Sequence, residues 1–530
     1  MSGRPTSSAG TGEQPSPVLP EEDEAPPPRV GRGLLLRALL AGVLICLATA
    51  GAVSATVLLQ VDDVLTILRE QGRAPIEIPE IDRADAGKAQ TLMILGSDMR
   101  YGDKKAGLKP RSDTMILVRL DPDKEVIAMM SIPRDLLVDI AGIGDQVKIN
   151  SAYETHGERG AVRAVKNLLS VEGEPFPVNH VVTVDFSGFR RAIDYIGCVY
   201  ADIDRDYFND QGGPGGYAVI DIDPGYQKLC GRDALDYVRY RHGDNDLVRA
   251  ARQQDFLRQV RNAKGTKKLM GGGISIGNLK KLARVFGRYF DRDKSLDSTQ
   301  EIFKFAKTVL FTASNPVREV RFRVTDAPDG INLAASPEML RKSVDEFMNA
   351  TGSDTPREQT EPTEADVEAS KERKRKRDNK PADIAGLEDA RGEGENQAIL
   401  GANKVDFPFF FPTVRTTTAA YQGQEPRTYT IRDEQRKKHD AYRLVLAKGV
   451  IGEYYGIQGT TWRYPPILDD PHETTVRNGR RLMVFRDGKR VRLVAWRTKK
   501  AVYWVSNTLT QSLSGPQMIG IAASLKRLGG

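Results

Sequence analysis

The chain has 530 residues, 40% of them apolar, enough to build the cores of two or three domains. Its 78 Lys and Arg against 71 Asp and Glu leave a net charge of +7, which favours anionic partners in general and does not single out nucleic acid. No helix-turn-helix, C-x-x-C or Cys/His metal spacing stands in the sequence.

Residues 1–37 are rich in Pro, Gly, Ser and acid and read as a disordered cytoplasmic tail. Residues 38–59 carry no charge and are mostly Ala, Leu, Val and Ile, a length that matches the roughly 20 residues a spanning helix needs. Arg29, Arg32 and Arg37 crowd the near flank, and Asp62 and Asp63 the far one. The preference of Lys and Arg for the cytoplasmic side then puts the N-terminus inside and everything from about residue 61 outside, as a single-pass membrane protein. A cleaved signal peptide is the rival reading, but the segment is longer than a usual signal core and starts late. Cys46 lies in the span, and Cys198 and Cys230 lie beyond it. That pair is either bridged, as an oxidising compartment allows, or two buried thiols.

After a stalk over residues 60–89, a first folded region runs over residues 90–350. Strands are expected at Thr91–Leu95, Thr114–Leu120 and Val126–Ile132, the last two joined by a turn at Asp121–Lys124. Then come a helix over Gly160–Leu169, a strand over Val178–Val184 and a helix over Phe186–Ile196. Short strands at Val199–Ile203 and Tyr217–Ile222 precede a strand over Ala234–Tyr240 that rejoins the sheet. Asp246 is placed to cap a helix running through Arg261, and Leu279–Phe290, Ser298–Leu310 and Pro337–Met348 read as further helices. Strands mixed with helices in this way imply a sheet covered by helices, the α/β class.

Residues 351–397, dominated by Thr, Pro, Glu, Lys and Arg with the basic run Lys371–Arg377, read as a charged disordered linker. Residues 398–530 read as a small α+β domain. Its strands are Tyr442–Leu446, Arg481–Phe485, Val491–Trp496 and Ala501–Val505, with a hairpin turn at Arg486–Lys489 and a terminal helix from Pro516 to Leu528. Trp462, Trp496 and Trp504 are the chain's tryptophans, and core is their default reading ahead of a sugar-binding face.

Charged phrases recur at the strand edges of the first region. Asp98 follows the first strand through Gly96 and Ser97, where glycine would let a phosphate approach the backbone. Arg111 and Asp113 precede the second strand two residues apart, on one face if the strand has already begun. Pro133 stops the third strand, and Arg134 and Asp135 turn out of the sheet. Arg239 and Arg241 alternate onto one side of the expected strand, and Arg249 and Gln253 share a helix face. Each pair has an ordinary structural explanation. Together they suit a metal-bound pyrophosphate, because carboxylates hold hard cations and guanidinium forks grip phosphate oxygens.

These phrases, in this order and with Lys148–Tyr153 and Asp236–Gln254 between and after them, resemble the LytR–CpsA–Psr family of cell-wall enzymes over residues 90–350. Where that family usually has Gly-Gly-Val, this chain has Gly197-Cys198-Val199, which adds weight to a Cys198–Cys230 bridge without deciding it. The resemblance implies an α/β/α sandwich with a deep apolar cavity for a polyprenyl tail. Phe186–Ile196 and Phe256–Val260 are candidates for its lining, with plain core as the alternative for each. It implies an extracytoplasmic phosphotransferase that moves a glycopolymer from a polyprenyl-pyrophosphate carrier to a hydroxyl of peptidoglycan N-acetylmuramic acid, forming a phosphodiester. On that reading Asp98 and Asp113 hold Mg²⁺. Arg111, Arg134, Arg239 and Arg241 clamp the pyrophosphate, Arg249 and Gln253 assist, and Asp135 orients Arg134 in preference to taking the acceptor proton. The alternatives are a lipid-pyrophosphate pyrophosphatase and a non-enzymatic wall-binding or regulatory membrane protein. The outward topology speaks against a nucleic-acid partner. Residues 398–530 fall outside the resemblance.

Overall fold

Gln90–Ser97 (β1), Ser112–Asp121 (β2) and Val126–Ile132 (β3) carry too few polar residues to be half-solvated, so they must be covered on both faces. The computed structural model describes residues 73–97, 112–212, 218–243, 245–270, 287–354, 362–377, 384–449 and 452–529, with a few positions between 63 and 70 and between 280 and 284. All belong to the unit spanning residues 60–530. The expected tail and membrane span lie outside the described residues. Among the described residues no helix is long and apolar enough to cross a membrane.

β1 pairs antiparallel with β2, and β2 with β3. Ser151–Leu169 (α1) leads to His180–Asp185 (β4), which runs parallel to β1. Phe186–Tyr195 (α2), the hairpin of Val199–Ile203 (β5) and Gly225–Leu229 (β6), Gly231–Arg239 (α3) and Asp246–Asn262 (α4) follow. Phe290–Arg292 (β7) pairs with β4. Thr299–Thr312 (α5) leads to Val317–Val320 (β8), parallel to β3, and Pro337–Asn349 (α6) comes after it. Across the six-stranded sheet the order is β7-β4-β1-β2-β3-β8.

Two-residue alternation sends Met93, Leu95, Met115, Leu117 and Met130 into one core with Val162 and Val165 of α1 and Phe347 of α6. Leu120, Ile127 and Met129 face the other way, against Leu257 of α4 and Phe305 and Val309 of α5. Helices therefore cover both faces, and the region is an α/β/α sandwich.

Some expectations change. The strand expected over Ala234–Tyr240 is helix α3, because Ala234, Leu235 and Val238 are buried at helical spacing. Asp194 accepts a 2.7 Å bond from Gly231 N at the start of that helix. The cap of α4 is Asn245, which accepts from Val248 N at 2.9 Å, and Asp246 is the first helical residue. In the helix expected over Leu279–Phe290 the described residues 280, 283, 284 and 287–289 are helical, but Phe290 already opens β7. Finally, the expected disordered linker carries Glu364–Arg377 (α7), which starts with a reciprocal cap. Thr363 N donates to Asp366 at 2.8 Å, and Asp366 N returns a 3.3 Å bond to the Thr363 hydroxyl. Arg391–Ala402 (α8) already packs in the second core, so the C-terminal domain begins before residue 398.

In that domain Arg427–Arg432 (β9), Lys438–Ala447 (β10), Tyr454–Thr460 (β11), Glu473–Arg477 (β12), Arg480–Asp487 (β13), Arg490–Arg497 (β14) and Val502–Ser506 (β15) lie in an eight-stranded sheet. One face packs on α8 and on Gly515–Ser524 (α9), a helix that stops short of the expected Leu528. Trp496 lies in this core. Trp462 and Trp504 lie on the other face, in one cluster with Tyr226 of β6, so the tryptophans are core and interface.

Two buried ionic contacts join the domains. Asp202 of β5 meets Arg443 of β10 at 3.0 Å. Arg258 of α4 meets Glu319 of β8 at 2.8 Å and Asp487 of β13 at 2.9 Å. β8 is an edge strand, and the β13–β14 turn satisfies it. Glu319 N donates to Asp487 Oδ1 at 3.1 Å, and its carbonyl accepts from Arg490 at 3.0 Å. Gly488 lies in this turn at φ +57°, where a side chain would collide with the Arg318 guanidinium.

Candidate functional site

β1, β3, β4 and β8 all run the same way, and ligands of open α/β sheets sit beyond such carboxyl ends. Arg134 leaves β3 there. Its Nε lies 3.2 Å from Asp135 Oδ2 and 3.8 Å from Asp246 Oδ1. The same Asp246 oxygen holds Arg249 Nη2 at 2.5 Å, so one carboxylate stands between two guanidiniums. The other Asp135 oxygen takes Lys148 Nζ at 2.8 Å. One turn beyond Arg249, Gln253 Nε2 donates to Thr114 Oγ1 at 3.0 Å and to the Val238 carbonyl at 3.1 Å. The start of β2, the end of β3, the end of α3 and the start of α4 thereby meet.

Burial would raise the Asp135 carboxyl, but the Lys148 hydrogen bond and the Arg134 charge outweigh it and hold the group below the usual range. Asp135 is therefore a weak base, suited to orienting Arg134. Gly96 also has a packing reason. A side chain there would stand 2.8 Å from Thr114 Cβ, so its smallness serves the Thr114 contact.

Arg239 ends α3, pairs with Asp236 at 2.9 Å and lays its guanidinium 5.3 Å over the Phe186 ring. Arg241 lies past the helix end and is exposed. The two arginines do not alternate along a strand as expected. Asp98 and Arg111 lie outside the described residues, as does the Asp113 side chain. The residues that precede the two aspartates, Ser97 and Ser112, pair across β1 and β2. Sequence reasoning missed Asp246 as the shared partner of two arginines and Lys148 as the partner of Asp135. The three-residue spacing of Asp246 and Arg249 was the available signal for the first.

Cys198 and Cys230 are bridged, with Cα atoms 4.5 Å apart. Cys198 sits at φ +67°, in the left-handed region that glycine adopts most readily. Cys230 is the N-cap residue of α3, so the bridge ties the start of the Arg239 helix to the end of α2. The cysteines are 32 positions apart, and Cys230→Ser should lower stability by about 4 kcal/mol on the chain-entropy estimate. Denaturant unfolding with and without reductant checks this, and the variant should no longer respond to the reductant.

Beside the charged cluster, Leu92 and Ile94 of the central strand and Val118 of β2 are only partly buried on the face toward α4 and α5. A central strand normally hides such residues. Ile193 and Phe256, by contrast, are packed core, as the plain reading of their helices held.

A sandwich sheet with cationic and acidic side chains gathered at its carboxyl edge defines an α/β protein with a charged cluster where such sheets place their ligands. Residues 66–351, over half of the chain, match the profile of the LytR_cpsA_psr family, and the chain belongs to that family. The polyisoprenyl-teichoic acid–peptidoglycan teichoic acid transferase TagV of Bacillus subtilis (strain 168) is 34% identical over 276 residues, 50% of this chain and 66% of that protein. TagU of Bacillus cereus (strain ATCC 14579), a transferase of the same description, is 31% identical over 172 residues, 32% of this chain and 51% of that protein. The chain thus spans between half and two thirds of the length of these curated relatives. The crystal structure of B. subtilis TagV aligns with a TM-score of 0.39 at 24% identity, covering 50% of this chain and all of that one.

Proposed function

We propose that this chain is an extracytoplasmic phosphotransferase that moves a glycopolymer from a polyprenyl-pyrophosphate carrier onto peptidoglycan. The Asp246-bridged pair Arg134 and Arg249, with Gln253 reaching to Thr114 beside Asp113, carries the reading. Two guanidiniums fixed by one carboxylate are matched to two phosphates in a row. The relatives' description as teichoic acid transferases supports the substrate class. The partly buried strip of Leu92, Ile94 and Val118 supports a polyprenyl tail lying beside the charges.

Asp98 and Asp113 follow Ser97 and Ser112 in the chain, which pair across β1 and β2, and carboxylates are hard oxygen donors of the kind Mg²⁺ takes. Bound there, the ion would neutralise charge on the diphosphate oxygens. In the transfer, the hydroxyl oxygen of N-acetylmuramic acid joins the sugar-side phosphorus, the bond to the lipid phosphate breaks, and the hydroxyl proton passes to the departing lipid phosphate or to water. A phosphodiester and polyprenyl phosphate result. Arg134 and Arg249 hold the diphosphate in line while charge builds on its oxygens, and Asp135 keeps Arg134 aimed. With water in place of the acceptor, the same site would act as a pyrophosphatase.

The test incubates the full chain with Mg²⁺ and a lipid-pyrophosphate saccharide, with and without peptidoglycan. Saccharide joined to peptidoglycan through a phosphodiester, with matching release of lipid phosphate, is expected. Lipid phosphate release that is unaffected by acceptor and persists in an Asp98→Ala/Arg134→Ala double variant would overturn the reading.

A further inference from the structure

A cleft of about 660 Å³ lies between the two domains. Arg318, Arg321 and Arg323 line it from the first domain, and Lys448, Lys489 and Arg490 from the second. The acidic side chains on its wall, Glu346 and Glu453, are already engaged. Glu346 accepts from Arg318 at 3.3 Å and from Arg323 at 3.2 Å. Glu453 accepts from the hydroxyls of Thr510 and Ser512. Arg321 donates to the Thr510 carbonyl at 2.8 Å, and the charges of Arg490 and Arg323 act on it against those of Glu453 and Glu346. Like charges gathered in one concavity raise the free energy of the fold unless an anion lies among them.

The position of this cavity matters as much as its charge. β8 runs parallel to β3 with Val320 beside Met130, so Arg321 and Arg323 leave the same end of the sheet that Arg134 leaves. Arg318 and Arg323 both reach Glu346 of α6, so the cationic side chains wrap the edge strand β8 and are not confined to one face of the sheet. The cleft therefore runs along the edge strand and reaches the same end of the sheet as the candidate site. It is far larger than one phosphate group.

We propose that this interdomain cleft binds the anionic chain of the transferred glycopolymer, whose repeating charges are phosphodiesters or carboxylates. The choice of polymer rests on the transfer reading above, and the cationic cleft itself does not. It gives the C-terminal domain a role: it supplies half of a docking groove that holds the polymer while its diphosphate end sits at the Arg134 cluster.

The test measures binding of a defined glycerol-phosphate oligomer, a uronic acid oligomer, a neutral oligosaccharide and inorganic phosphate to the full chain at low and high salt. Arg321, Arg323 and Lys489 are exposed, so an Arg321→Gln/Arg323→Gln/Lys489→Gln triple variant should keep the wild-type melting temperature. One of the two charged oligomers should bind with an affinity that falls with salt, and the triple variant should weaken it by about tenfold or more. Which oligomer binds tells phosphodiester from carboxylate polymer. Arg134→Ala should leave this binding unchanged. Equal affinity of wild type and triple variant, equal binding of the neutral oligosaccharide, or inorganic phosphate binding as tightly as either oligomer would overturn the proposal. If transfer fails while the oligomer pattern holds, only the catalytic reading falls. If transfer works and the triple variant binds like wild type, only the cleft does.

Discussion

Arg134→Ala is expected to slow glycopolymer transfer by about 10²- to 10³-fold, the size of effect seen when one oriented donor is removed from a site of developing charge. The loss should fall on the rate. Arg134 is held by Asp135 and Asp246, so its guanidinium is aimed before the substrate arrives. The fold should survive the change, because each carboxylate keeps a second cation. Asp135 retains Lys148 at 2.8 Å and Asp246 retains Arg249 at 2.5 Å. The stability cost should thus stay near the roughly 1–3 kcal/mol of a disturbed charged hydrogen bond. Arg134→Lys should rescue little, since an ammonium cannot reproduce the planar fork. Single-turnover rates beside melting curves separate the two effects. A threefold loss, or a tenfold loss that tracks unfolding, would count against the assignment.

Asp487→Ala should be the most damaging single change for stability. It strips Arg258 of one of its two buried partners and leaves the Glu319 backbone N–H without its acceptor. Breaking a buried ionic network in this way typically costs about 3–5 kcal/mol. The damage should reach the candidate site, because α4 carries Arg258 at one end and Arg249 roughly two and a half turns earlier. Hydrogen exchange should rise at β8 and along α4 together. The same network makes stability depend on pH. Burial, reinforced by Asp487 and opposed by Arg258, pushes the Glu319 carboxyl up to about 8. Since its folded value lies above the unfolded one, its contribution is full below about pH 4.5 and is lost as pH climbs through about 8. Asp487 is held below its ordinary value, mainly by Arg258 against burial, so its own contribution falls away only in more acidic solution. Denaturant midpoints between pH 5 and 8 should therefore decline, and Glu319→Gln should flatten that decline.

Much of the first domain was legible because its strands are unbroken apolar runs and its turns are punctuated by Pro, Gly and Asp. β3 and its exit at Pro133 and Arg134 follow from that pattern alone. Helix α3 was misread because Val238, Arg239, Tyr240 and Arg241 alternate like a strand. The deciding partner, Asp194, comes from α2 and cannot be seen locally. Helix α7 could have been found, since Thr363 and Asp366 have capping spacing, but the density of charge around them suggested a tether. In the site, Arg134, Arg249 and Gln253 were visible as strand-end and helix-face residues. Asp246 was visible only as a cap, because its role as a shared carboxylate depends on β3 ending opposite the start of α4. The interdomain network was not legible at all. Arg258, Glu319 and Asp487 lie far apart in sequence, and each reads alone as a solvated charge.

The most direct test compares the binding of polyprenyl diphosphate and polyprenyl monophosphate to the full chain in the presence of Mg²⁺. Two guanidiniums sharing Asp246 predict that the diphosphate binds at least about tenfold tighter, and that Arg249→Ala removes most of this preference. Equal affinity for the two lipids, or a preference that Arg134→Ala and Arg249→Ala both leave intact, would contradict the account.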